Sequence, residues 1–274
     1  MNLRVYLFIV LVFFHAQASF SKEVFHYGVV PWTHSKLLQT WASPIKKRLE
    51  AQLNQSVQIT SSANIGAYLQ KAMDNKMQVF QVPAHLAVYL IDEYAFKPVV
   101  YVEGRSHVVL LSLSDSGVSD LKEASKAEVI VGSPLMMTTQ IGKKWFVDAG
   151  LTPTYVYQKD QWQVMDALFS EGNTKVAIVM SAMYENLAPV LKNKLVEIKR
   201  SNFPVSGMLL ATPQLDEETV KRIQNSFLSF DANTHYFLVS ASLPTALKMK
   251  KMREMVAPYY VETMKEIKQT LKYQ

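Results

Sequence analysis

The 274-residue chain contains no cysteine. That absence excludes disulfide bridges, a thiolate nucleophile, a metal site built on cysteine sulfur and a lipid anchor on an N-terminal thiol. Catalytic motifs are missing too. No Gly-x-Ser-x-Gly elbow or His-Glu-x-x-His pair occurs, and the acidic residues fall mostly on polar helix faces, so an enzyme reading has no support. Beyond the leader, His occurs at 26, 34, 85, 107 and 235, without His-x-His or His-x3-His spacing, which leaves a metal or other cofactor without a motif. A basic stripe interleaved with aromatics is also lacking, although the formal charge is +6; nucleic acid is therefore a poor fit. The densest basic cluster, "LKMKKMRE" (247–254), has apolar residues at helical spacing and reads as the solvated side of a helix.

Long apolar runs are confined to the start. "MNLR" carries one positive charge, "VYLFIVLVFF" gives ten apolar residues and "HAQA" ends in Ala-x-Ala. This is the layout of a secretory signal peptide, residues 1–18, cleaved after Ala18. A membrane anchor would want about 20 apolar residues. Removal of the leader leaves 256 residues and, with Arg4 gone, a net charge of +5. An exported chain of this size without disulfides must be held by its core, which suits a bacterial periplasm.

From residue 24 the pattern alternates strand and helix. Strand-like runs at 24–30, 56–62 and 77–83 are separated by helical patterns at 36–53, 64–75 and 84–94, with Asn64 placed as a cap. Pro44 inside the first helix predicts a kink or two abutting helices. Two strands flank Gly104 at 97–113. A second series at 118–194 repeats the scheme, and the chain ends in an amphipathic helical tail expected to break near Pro258. Such alternation predicts α/β layers with mostly parallel strands. Two similar units suggest two lobes with a cleft between them; one doubly wound sheet fits the same spacing.

The opening "FHYGVVPWTHSKLLQTWASPIKKRLEAQL" adds information of another kind. Gly28 and Pro31 at the end of the first strand, Trp41, Pro44 and Leu49 in the helix, and Pro83 with His85 or Tyr89 in a later turn keep a recurring order. The chain resembles, over roughly residues 24–230, the PhnD-like periplasmic binding proteins of phosphate, phosphite and phosphonate ABC transporters. The resemblance implies the two-lobed type II periplasmic-binding-protein fold, α/β with mixed, mostly parallel sheets, a hinge and an interlobe cleft. Lobe one would comprise 24–105 plus 205–274 and lobe two 106–204. It further implies a monomer that captures a small ligand, an anion being one candidate, and hands it to an inner-membrane ABC permease. The alternative partner is an envelope sensor protein such as a histidine kinase, cyclase or chemoreceptor.

The segment "VGSPLMMTTQIGKKW" (131–145) holds the most pointed question. A strand meets Gly132, Ser133 and Pro134 and a helix follows, an arrangement suited to an anion. Yet Leu135, Met136, Met137 and Thr138 stand where the resembled family carries a Ser-Thr-Ser-Gly-like turn. Ile65 falls at a pocket tyrosine, Gln161 or Trp162 at a histidine, and Gln78 and Lys175 at two aspartates. A multiply charged oxyanion needs several aimed donors, so an amino-phosphonate is not expected. Thr138 and Thr139 are ligand hydroxyls or helix caps; Met136 and Met137 are core residues or the walls of a softer pocket. Trp32 stacks on a ligand or covers the lobe edge. His85 contacts ligand, or is a capping or buried histidine, and His34 is expected to be exposed. Arg105 clamps an anion or is an exposed hinge charge. With Asn64, Ser133 and Trp162, these are the candidate ligand-binding residues.

Overall fold

The computed structural model describes residues 24–32, 35–104, 106–172, 174–229 and 241–272. The expected leader, His34, Arg105 and His235 lie outside the described residues. The chain begins with β1 (Phe25–Gly28), α1 (Ser35–Leu53), β2 (Val57–Thr60) and α2 (Ile65–Met73). It continues through β3 (Val79–Pro83), α3 (Ala84–Tyr94) and β4 (Lys97–Val102). The second series runs β5 (Val108–Leu113), α4 (Leu121–Ala124), β6 (Glu128–Val131), α5 (Met137–Asp148) and β7 (Thr154–Tyr157). It is completed by α6 (Gln161–Phe169), β8 (Lys175–Met180), α7 (Ser181–Glu185), α8 (Pro189–Lys192) and β9 (Leu195–Arg200). Then come β10 (Gly207–Ala211), α9 (Glu217–Leu228), β11 (Ala241–Ser242) and α10 (Ala246–Lys272).

The strands form two sheets, ordered β11-β4-β10-β3-β1-β2 and β7-β6-β8-β5-β9. Pairs β1–β2, β1–β3, β6–β7 and β6–β8 are parallel, as their intervening helices require. β10 and β5 are antiparallel to both of their neighbours. The antiparallel share exceeds the expectation of mostly parallel sheets for a simple reason. The chain leaves the first sheet through β4 and β5 and returns beside that path through β9 and β10, so the paired strands must oppose each other.

Burial explains why the strands are near-continuous apolar runs. In β5, Val108 and Leu110 face one core while Val109 and Leu111 face another; β8 divides Val176 and Ile178 from Ala177 and Val179 in the same way. A sheet covered on both faces has no polar side to show in its sequence. The outer face of the first sheet packs Phe25, Tyr27, Val57 and Ile59 against Leu38, Ile45 and Leu49 of α1 and Ile223 and Phe227 of α9. The largest cluster joins both lobes, with Phe80 and Leu210 at one end, Val131, Ile141 and Phe146 at the other, and Met252, Val256 and Ile267 of α10 between elements. Polar contacts follow the same path. Arg253 donates to both carboxylate oxygens of Asp92 on α3 at 2.6 Å, and Lys143 on α5 pairs with Glu266 at 3.3 Å and Glu262 at 3.7 Å.

Neither proline divides its helix: Pro44 does not separate two abutting helices, and the tail expected to break near Pro258 is continuous. Pro44 and Pro258 lie within α1 and α10 on exposed faces. The carbonyl each proline leaves without a partner is therefore on the wet side, where water serves it. The buried stripes run past both positions: Leu38, Ala42, Ile45 and Leu49 in α1, and Met252, Val256, Tyr259, Thr263 and Ile267 in α10.

The two passages between sheets touch backbone to backbone. Val205 N donates to Ser106 O at 2.7 Å and Ser201 N to Val108 O at 2.9 Å. His107 Nδ1 lies 2.7 Å from Ser201 O. A Cβ on Gly104 would stand 1.4 Å from Val205 O, so only glycine permits this approach. Gly104→Ala is expected to lower stability in urea denaturation by on the order of 3 kcal/mol, because the obstruction is backbone and cannot rotate away.

Candidate functional site

The candidate residues share one topological position, the loops and helix starts that follow the strands' carboxyl ends. Open α/β sheets place ligands there. Trp32 follows β1, Asn64 precedes α2, His85 lies in the first turn of α3, and Ser133 to Thr139 join β6 to α5. Trp162 opens α6.

The β6–α5 turn is held by donors from outside it and from its own helix. Thr139 Oγ1 donates to Gly132 O at 3.2 Å, and Met136 N to Ser133 O at 2.9 Å. Gln140 Nε2 donates to Pro134 O at 2.6 Å. His85 Nε2 meets Leu135 O at 2.9 Å. Four successive carbonyls thus have partners, and the last bond crosses from the first lobe to the second. Since a carbonyl only accepts, the His85 proton is on Nε2. Nδ1 is then an acceptor, buried and without a partner. Burial pushes the His85 pKa down from 6.5 to about 4, partly opposed by the Leu135 carbonyl.

A second group forms one residue further on. The Met136 sulfur sits over Gly132, 2.6 Å from where a Cβ would stand there, and Gln161 Nε2 is 3.1 Å from the same point. Gln161 Oε1 accepts from Met180 N at 3.0 Å. Its Nε2 therefore points to Met136 Sδ at 3.7 Å and Thr138 Oγ1 at 3.4 Å. Gln161 is 4% exposed and Trp162 47%. Adjacent helix positions differ by about 100° in direction, so only one of the two faces the core, and it is Gln161. The signal was present in the sequence: Gln161 continues the stripe of Val164, Met165 and Leu168 backward by helical spacing.

Other expectations divide. Met136 and Met137 are both buried, 3% exposed each, and Met137 lies in the largest hydrophobic cluster. Neither threonine caps α5: the N-cap is Met136, without a side-chain bond, and the Thr139 hydroxyl is taken by Gly132. Asn64 is the cap of α2, its Oδ1 accepting from Ala67 N at 2.8 Å. Ser133 is half-buried, and its Oγ accepts a long 3.4 Å bond from Leu135 N. Trp32 is half-buried and packs at the junction of two hydrophobic clusters. Arg105 is outside the described residues. Among the described residues, no group of three or more His, Asp or Glu is arranged for a metal, and no helix is long and apolar enough to cross a membrane.

Two mixed sheets are joined by a double passage, and the start of α3 is bonded to the β6–α5 turn. Residues 27–267 match the family model described as "ABC transporter, phosphonate, periplasmic substrate-binding protein". The chain belongs to that family, a solute-binding component of transporters found in the periplasm and not a class of enzymes. Its fold is similar to PhnD1 of Prochlorococcus marinus, solved with methylphosphonate, at 13% identity and TM-score 0.72, covering 86% of this chain and 98% of that one. A binding component of a Pseudomonas aeruginosa ABC phosphonate transporter matches at 14% identity and TM-score 0.68, covering 92% and 98%. A Xanthomonas citri protein bound to ATP matches at 9% identity and TM-score 0.71, covering 91% and 98%. No curated protein sequence matches.

The lowered His85 pKa gives a pH dependence with a definite sign. Between pH 6.5 and about 4 the unfolded chain binds a proton that the folded chain excludes. The contribution is complete above pH 6.5 and lost as pH falls through 4, on the order of 3 kcal/mol. Urea midpoints of wild type should fall across that window, and His85→Gln should remove this share of the fall.

Proposed function

We infer that the protein captures a small solute between its lobes in the periplasm and delivers it to an inner-membrane ABC permease. The observation that carries this reading is the His85–Leu135 bond. It joins the start of α3 in one lobe to the β6–α5 turn of the other, where strand ends of both sheets meet. In this reading residues 1–18 direct export and are removed, lobe one is 24–105 plus 205–274, and lobe two is 106–204. The paired passages at Ser106 and Val205 are the hinge, and solute contacts to both lobes shift the open–closed balance. The protein acts as a monomer. Trp32, Met136 and Thr138 are the residues offered to the solute.

A second reading rests on a specific feature of the turn. Its four carbonyls and the Gln161 amide are served by the chain's own groups. A cleft so satisfied can stay shut without solute, as an adaptor docking on an envelope sensor would need.

The absence of native cysteine permits clean spin labelling at Lys47→Cys on α1 and Val190→Cys on α8, both exposed. Solute capture predicts a shorter or narrower inter-label distance, together with a raised melting temperature, for at least one solute of a screen. A distance that no solute changes, in a protein that none stabilises, would reject capture and favour the adaptor.

A further inference from the structure

Helix α10 carries more apolar surface than the core covers. Its buried stripe, Met252, Val256, Tyr259, Thr263 and Ile267, packs inward. Beside it Tyr260, Met264 and Leu271 make a second stripe at helical spacing that is only half-buried, and the neighbouring Val261 is 81% exposed. One apolar stripe is enough to seat a helix on its own domain; the second is left for another occupant. Two adjoining cavities of about 590 and 540 Å³ lie along this second stripe and share Met264 and Lys268. Tyr89 and Tyr94 of α3 wall one of them, their rings edge to face with centroids 5.6 Å apart. Together the cavities follow α10 from Tyr260 to Leu271, about three turns or roughly 16 Å. Arg253 and Asp92 clamp α10 to α3, so the groove is already formed before anything enters it.

We propose that this groove seats an amphipathic helix of a partner protein, its apolar side chains against Tyr260, Met264 and Leu271 and a carboxylate against Lys268. The inference goes beyond solute capture and does not require it, since the groove uses the end of α3 and not the His85 start. A long, shallow apolar groove with a polar rim matches a helix, whose side chains at i, i+4 and i+7 form a ridge of the same length. The rim supplies the charge preference. Lys265 and Lys268 stand on the α10 side and are exposed. Lys265 is already paired with Glu262 at 3.6 Å, whereas Lys268 has no ion-pair or hydrogen-bond partner among the described residues. A second copy of this chain is a poorer occupant, because two-fold docking here would gather the lysines of both copies about one axis. A membrane surface is poorer too, since the bases rim a concavity that also carries Glu93.

The test is photo-crosslinking of the full chain in the cells that make it. The probe is p-benzoylphenylalanine placed at Val261, with the same substitution at the exposed Val190 of α8 as control. Adducts are digested and the linked segment is sequenced by mass spectrometry; melting temperature verifies folding of each variant. The expected adduct forms at Val261 and not at Val190, and joins a segment of a different protein. That segment has apolar residues at i, i+4 and i+7 with Asp or Glu beside them. Lys268→Glu is expected to lower the yield about tenfold, while Lys268→Arg keeps it. Lys268→Ala stands in should the glutamate variant fail to fold. Absence of an adduct at Val261, or an adduct to a second copy, to phospholipid or to a segment without that pattern, overturns the proposal. A yield that a folded Lys268 charge variant leaves unchanged overturns it as well.

Discussion

Carbonyl groups in an irregular turn have no ladder to supply their donors, so a buried turn stands only if side chains bring them. Between β6 and α5 they come from three directions: the Thr139 hydroxyl and Gln140 amide from the following helix, the turn's own Met136 N–H, and the His85 ring from the other lobe. One buried hydrogen bond contributes only about 1 kcal/mol, but leaving such a carbonyl bare costs about 1–3 kcal/mol. The turn's shape, and hence the seat of Met136 over Gly132, depends on the whole set. That dependence also ties the lobes together: whatever separates them must replace the His85 donor at Leu135 or expose that carbonyl to water.

Most of the fold was legible because its pattern follows from burial. The alternating βα units, the two strands about Gly104 and the Asn64 cap all rest on local rules that the tertiary structure leaves intact. The break expected near Pro258 did not occur, since an exposed proline leaves its orphaned carbonyl to water, and the face that Pro258 occupies was not given by its neighbours alone. The strand directions misled for a different reason. Parallel pairing is a rule for strands joined by a helix, and β5 and β10 are reached by passages between sheets instead.

The site was less legible than the fold. Its general place, at the strand ends, followed from the architecture. Which of two adjacent residues faces inward did not, although the stripe Val164, Met165 and Leu168 implied Gln161. The pairing of His85 with Leu135 was hidden altogether, because the partner is a carbonyl and a carbonyl has no letter in the sequence. The same distinction explains how folds remain alike at 9–14% identity. A sheet needs apolar residues of roughly suitable volume at buried positions, a condition many sequences meet. A pocket needs particular atoms in particular directions, and few exchanges keep them.

The route of α10 bears on how such a cleft can move. The helix is anchored to α3 by Arg253 and Asp92, while Lys143 of α5 reaches it through Glu266 and Glu262. Met252, Val256 and Ile267 lie in the cluster that runs into both lobes. A hinge at the two passages could turn freely only if α10 stayed with one lobe. As it packs on both, separation of the lobes must release the contacts with α5. The charged part of that release is inexpensive, since partly exposed pairs contribute about 0–1 kcal/mol each. The larger cost is apolar surface returned to water, at roughly 25 cal/mol per Å². In the solute-capture reading, motion at the cleft would therefore be controlled less by the hinge than by how far α10 remains seated on α5, and a bound solute would favour closure by adding to a contact that the chain already makes.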